Sequence, residues 1–206
     1  VTRSGATLGG TNDRAGVFSR SSNNGGASIQ NLEVSQSPGA GIFVSKGSIT
    51  GWGWHSHNNA AEGLYIREMF PVVDDLLLEN NGFSGPRVYD SKQVWLSNLT
   101  TNSNGFSAAS AQNGAGMVFV KSNDLMAAGN VVECVDCTSE GDNWGAIRVE
   151  DSVDLRFVDL TVRDPVLAQG QSAIVMDDAS MNWQGWIEID GAEIHVNTTI
   201  GAPAIQ

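Results

Sequence analysis

The sequence predicts an all-β chain wound as a single-stranded solenoid of parallel strands, with about seven coils. Three observations predict it. One strand type recurs at steps of 22 to 32 residues. A two-strand unit with a polar corner occurs twice in the same frame: Val88 to Leu99 carries Asp90-Ser91 where Val149 to Leu160 carries Asp151-Ser152. Few stretches of this chain, which has 24 Gly, hold good helix formers without a Gly or β-branched interruption.

Taken in order, residues 1–15 are polar and Gly-rich and read as an entry arm or N-terminal cap. The solenoid is expected over 16–196, and 197–206 as an exit segment. The recurring strand begins as Gly16-Val-Phe-Ser-Arg20 and returns as Gly41-Ile-Phe-Val, Gly63-Leu-Tyr-Ile, Pro86-Arg-Val-Tyr, Met117-Val-Phe-Val, Ala146-Ile-Arg-Val and Ala173-Ile-Val-Met. Alternation within it predicts one inward stack: Ser19, Val44, Ile66, Val88, Val120, Val149 and Met176. A second strand type lies between, as in Ile29 to Val34, Val94 to Leu99 and Leu155 to Val162. Asn81-Gly-Phe-Ser and Asn104-Gly-Phe-Ser supply corners that need a left-handed backbone. An antiparallel sandwich also has short strands and regular turns. It would not repeat whole two-strand units with the Asp-Ser corner in frame.

The coil period, the G-[IL]-[FY]-[VI] strands, the N-G-F-S turns and the V-x-D-S corners resemble the right-handed parallel β-helix of the pectate-lyase-like superfamily. Viral tailspike and fibre modules are the part of that group it looks most like. The resemblance implies a right-handed helix over residues 16–196 and a polysaccharide ligand. No catalytic residue carries over. The calcium cluster of the lyases cannot be laid onto this chain, and the N-T-D and G-H-G signatures of polygalacturonases do not occur in it.

Charge narrows the partners. The formal net charge is −12, with 11 Lys and Arg against 23 Asp and Glu. That excludes a basic nucleic-acid footprint. An Asp-rich, Lys-poor surface fits a protein of salty surroundings or an acidic secreted or virion protein. No apolar run reaches the ~18 residues of a membrane span. The start, without an initiator Met or a leader pattern, is expected of a processed chain or a piece of a longer one. Cys134 and Cys137 form a lone C-x-x-C with no second pair. They are expected as two small residues at a strand or corner, binding no metal.

Four constellations are candidates for chemistry. The first is the outward row of the recurring strand, where Tyr65, Arg67, Arg87, Tyr89, Phe119 and Arg148 bring scarce bases beside aromatics. Rings there would stack on sugars while guanidinium groups hold carboxylates or sulfates; the alternative is a solvated ladder of paired charges. The loops 102–116 and 139–145 are expected to wall this row. The second is the acidic corner row Glu68, Asp90, Asp151 and Asp178, with the first three weak candidates for an acid–base pair and the row for a weakly bound Ca²⁺, otherwise a solvated edge. The third is Trp52-Gly-Trp54-His-Ser-His57, expected as a loop: Trp52 and Trp54 for glycan contact, or packing on the solenoid flank. His55 and His57 point to one side, but no third metal ligand is evident in the sequence. The fourth, the pairs Asp74-Asp75 and Asp177-Asp178, is structural, because successive strand residues face opposite ways. No cofactor is expected.

The function expected is a viral tailspike or fibre-type module that binds host cell-surface polysaccharide at the virion or cell exterior, with cleavage left open. A homotrimer or a larger surface assembly is expected with it. The alternatives are a secreted polysaccharide lyase, hydrolase or epimerase, and a structural or adhesive surface protein without catalysis.

Overall fold

The computed structural model describes residues 14–20, 26–91, 93–109, 111–120, 131–150, 154–167, 171–177 and 186–195. Residues 1–13 of the arm expected at 1–15, the exit at 197–206 and the Asp151-Ser152 corner lie outside them. The described chain is all-β, and every strand pairing in it is parallel, in one curled, solenoid-like sheet of 15 strands.

The pairings resolve each repeat into three runs. The first run is β1 (Val17–Arg20), the start of β3 (Ile42–His57), the start of β4 (Leu64–Glu79), β5 (Pro86–Tyr89), β7 (Met117–Val120), β10 (Ile147–Glu150) and β13 (Ile174–Asp177). The second and third runs are β2 (Gly26–Ser35), the remainder of β3 and β4, and β6 (Val94–Asn102). Later they are separate strands. The second run continues through β8 (Val131–Val135), β11 (Asp154–Val158) and β14 (Trp186–Asp190). The third continues through β9 (Thr138–Glu140), β12 (Thr161–Arg163) and β15 (Glu193–His195). Only two runs were expected; the second strand type of the sequence is two runs joined at a one-residue corner.

That corner is a single residue in the left-handed region. In successive repeats it is Asn31 (φ 51°), Gly53 (68°), Asp75 (56°), Asn98 (48°), Asp136 (52°), Asp159 (53°) and Gly191 (69°). Asn, Asp and Gly bear this backbone at least cost. A second such series, Gln36, Asn58, Asn80, Ser103, Gly141 and Asp164, ends the third run. The left-handed residue therefore precedes Asn81 and Asn104; within the expected Asn104-Gly-Phe-Ser turn, Gly105 is left-handed as well (φ 83°).

Asn81 and Asn104 instead lie in a buried amide ladder. Ser37 N–H donates to Asn59 Oδ1 (2.9 Å), Asn59 Nδ2 to Asn81 Oδ1 (2.9 Å), Asn81 Nδ2 to Asn104 Oδ1 (2.9 Å) and Asn104 Nδ2 to Asp142 Oδ1 (2.9 Å). The backbone N–H of Asn59, Asn81 and Asn104 donates to the same acceptors. The ladder also explains the Gly that opens the first run. A Cβ on Gly63 would lie 2.7 Å from Asn81 Nδ2, and one on Gly116 2.3 Å from Asp142 Oδ2.

The interior is filled by like residues stacked one repeat apart. In the first run Ser19, Val44, Ile66, Val88, Phe119, Val149 and Met176 are in register. Phe119 takes the place expected of Val120. It is fully buried and meets Phe157 edge-on at 5.7 Å. The reason is local: Met117, Val118, Phe119 and Val120 are all buried, so this strand has apolar neighbours on both faces and no alternation to set its register.

Across the second corner, two inward positions three residues apart share space. Gly51 leaves room for Trp54: a Cβ there would lie 2.2 Å from Trp54 Cζ2. One repeat on, Val73 and Leu76 fill the equivalent positions, then Leu96 and Leu99. Cys134 and Cys137 occupy them next, both fully buried, and are joined as a disulfide. The sequence placed the pair correctly at a corner; the covalent bond across it was not foreseen.

Candidate functional site

The outward row of the first run is less open than the sequence implied. Phe18, Phe43 and Tyr65 stack on one another at 5.2 and 4.9 Å, and Phe43 is buried. Burial pushes the Tyr65 phenol above its ordinary value. Arg67 bonds Glu68 (3.1 Å) and lies over the Tyr89 ring, 5.5 Å from its centroid. Arg87 donates to Asn113, on the loop expected to wall the row, and lies 4.0 Å from buried Glu62. Burial raises the Glu62 carboxyl even so, with Arg87 opposing. Arg148 bonds Glu150. Tyr65, Arg67, Arg87 and Tyr89 are thus brought together, while Val118 separates them from Arg148. The outward placement of Phe119 is corrected, because its ring is in the core. Each base of the row meets an acid of the chain itself.

At the first corner, Glu68 and Asp90 follow registered residues one repeat apart, as expected, and both are left-handed. Glu68 is held by Lys46 (3.7 Å) and Arg67. Asp151 and Asp178 lie outside the described residues.

The segment expected as a Trp-rich loop is strand. Residues 52–57 all belong to β3. Trp54 is corrected from ligand contact to core: its ring points inward and its Nε1–H donates to the Ile29 carbonyl (3.0 Å). Trp52 faces out and is 45% exposed. It belongs to a cluster not foreseen in the sequence. Phe70, Val72 and Trp95 are 42%, 47% and 55% exposed on the same run. Val72 registers with Trp95, and Trp52 with Asp74, which registers with Ser97. The two indoles therefore sit diagonally across a strand bearing Val72 and Asp74. Ser97 Oγ and Asn98 Nδ2 each donate to Asp74 Oδ1 at 2.7 Å and hold the carboxyl below its usual range.

A second cluster forms at the end of the third run. His55 and His57 project from alternate positions of β3 and stack at 4.3 Å. Glu33 registers with His55 and Glu79 with His57, yet the contacts cross: His55 Nε2 meets Glu79 Oε1 at 2.9 Å and His57 Nε2 meets Glu33 Oε1 at 3.2 Å. Asn58 Nδ2 lies 2.7 Å from His57 Nδ1. The hydrogen bond to His57 lowers the Glu33 carboxyl. Glu33, His55 and His57 can present one donor atom each, all within 4.8 Å of one another. Glu33 and Glu79 were missed, although each lies 24 residues from its His partner, about one coil. Searching for acids one period away would have found them.

No family model, curated protein or solved structure matches the chain. Among the described residues, no helix is long and apolar enough to cross a membrane.

Proposed function

We propose that this chain is a glycan-binding module of tailspike or fibre type, built as a right-handed parallel β-helix of about seven coils and displayed outside the cell. Parallel crossovers within one sheet are right-handed in ~98% of cases, which supports the hand. A buried disulfide is at home in an oxidising compartment, which supports the location.

The observation that carries the reading is the Trp52–Asp74–Trp95 face. Two exposed indoles offer flat apolar surfaces to sugar rings. Between them an ionised, oriented carboxylate accepts hydroxyl hydrogen bonds. The rungs repeat at ~4.8 Å, on the scale of one sugar ring, so a chain running along the solenoid axis would meet successive rungs. The carboxylate and the net charge of −12 select neutral over acidic polysaccharide. This moves the expected contact surface from the first run to the second.

The test is titration with neutral and acidic polysaccharides, following Trp fluorescence and heat. Trp52→Ala with Trp95→Ala is expected to weaken binding about tenfold or more, with little change in melting temperature, since both rings are exposed. If the double variant binds as the parent does, the face is not the site. If Arg87→Ala with Tyr89→Ala abolishes binding instead, the first run is. The exposed apolar cluster also favours a second reading, an adhesive protein–protein face. Under it the parent binds no glycan, and the double Trp variant changes the sedimentation coefficient.

A further inference from the structure

We propose that Glu33, His55 and His57 form a binding site for a borderline divalent transition ion of the zinc class, with Glu79 as a supporting carboxylate. It is separate from the glycan reading and does not depend on it.

The donor set decides the class of ion. Two imidazole nitrogens and a carboxylate oxygen suit zinc, copper or nickel. Calcium and magnesium take oxygen ligands. Charge also balances: two neutral imidazoles with the carboxylates of Glu33 and Glu79 match a dication. The spacing is close to what an ion requires. Tetrahedral zinc with bonds of about 2.0–2.2 Å holds its donors about 3.4 Å apart, and the three donor atoms here lie within 4.8 Å. Rotation of exposed side chains closes the difference, because Glu33 is 70% exposed at its side chain and stands on the outer surface of β2.

The fold, not the local sequence, assembles the set. The third run orients every second residue outward, so His55 and His57 share one side of β3. Parallel neighbours then place Glu33 one rung before and Glu79 one rung after. The donor atoms of Glu33, His55 and His57 all lie within 4.8 Å of one another, and Glu79 Oε1 stands 2.9 Å from His55 Nε2, beside the set. The third histidine provides the contrast. His195 ends the same row, but among the described residues it meets Glu193, on its own strand, and makes a pair rather than a cluster. The thiols do not compete for the ion, since Cys134 and Cys137 are bonded to each other. An ion here would tie β2, β3 and β4 together, so binding stabilises the folded chain by mass action.

The experiment uses the full chain, stripped with chelator and titrated with Zn²⁺ by calorimetry and thermal melting. One equivalent is expected to bind and to raise the melting temperature; Co²⁺ in its place is expected to give the visible absorption of a four-coordinate site. His55→Gln with His57→Gln should abolish both effects. Glu79→Gln should weaken affinity about tenfold or more. His195→Gln should leave binding as in the parent, and chelator-treated melting curves report whether each variant is folded. Failure of the parent to bind Zn²⁺ overturns the proposal, as does unchanged affinity in the folded double His variant.

Discussion

Asp142 is the buried charge on which the amide ladder ends. Its Oδ1 accepts from the backbone N–H and Nδ2 of Asn104 (2.8 and 2.9 Å), its Oδ2 from Thr101 Oγ1 (2.6 Å) and Ser139 Oγ (2.7 Å). Burial pushes this carboxyl above its ordinary 3.8, and the four donors pull it only part of the way back. A group whose folded value is raised favours folding fully below the unfolded value, and that contribution is lost as pH rises through the folded one. Stability is therefore expected to fall as pH climbs from about 3.8 through the raised value. Asp142→Asn should remove that component of the pH dependence, because the amide keeps an acceptor for Asn104 and the two hydroxyls can reorient toward its NH₂. Asp142→Ala strands buried donors and is expected to cost about 3 kcal/mol or more. Denaturant melts of the three proteins at several pH values check this; equal pH profiles for parent and Asp142→Asn would rule it out.

The elements are defined by their corners as much as by their strands. Asp75 turns β4 from its second run to its third at φ 56°, with its side chain in solvent. Left-handed backbone costs an ordinary L-residue about 1–2 kcal/mol. Asp75→Val is thus expected to destabilise by about that amount, with Asp75→Gly within about 0.5 kcal/mol of the parent. Urea midpoints measure both, and equal midpoints for Val and Gly would show the corner to be slack. The periodic signal behind the strands was legible because most are buried on one face only. It failed at Met117–Val120, where both faces are buried and Phe119 and Val120 are equally apolar.

For the whole molecule the dominant long-range term is charge. With −12 distributed over a solenoid of this size, self-repulsion opposes the compact state. Salt shortens the reach of that repulsion from about 30 Å at 0.01 M to about 3 Å at 1 M. The melting temperature is expected to rise over this range of sodium chloride. The exposed pairs Lys46–Glu68 and Arg156–Glu188 are weakened by the same screening, but each contributes little. A melting temperature that falls with salt would mean that specific pairs outweigh the net charge.

Local sequence by itself determined the all-β class, the parallel repeat and most of the inward stack, because strand period and coil period are both properties of residue order. It also located Trp52, His55 and His57 as unusual. Only the tertiary structure decided which of these face solvent and what stands beside them. Trp54 turned inward because Gly51 leaves space for its ring. The scarce bases of the first run met Glu62, Glu68 and Glu150, so their clustering has a local electrostatic cause. The Asp74 carboxylate between two indoles, and the two glutamates around two histidines, arise from residues about one coil apart in sequence and one strand apart in space. A solenoid converts its period into adjacency, and the composition of a single stretch carries no record of that neighbour.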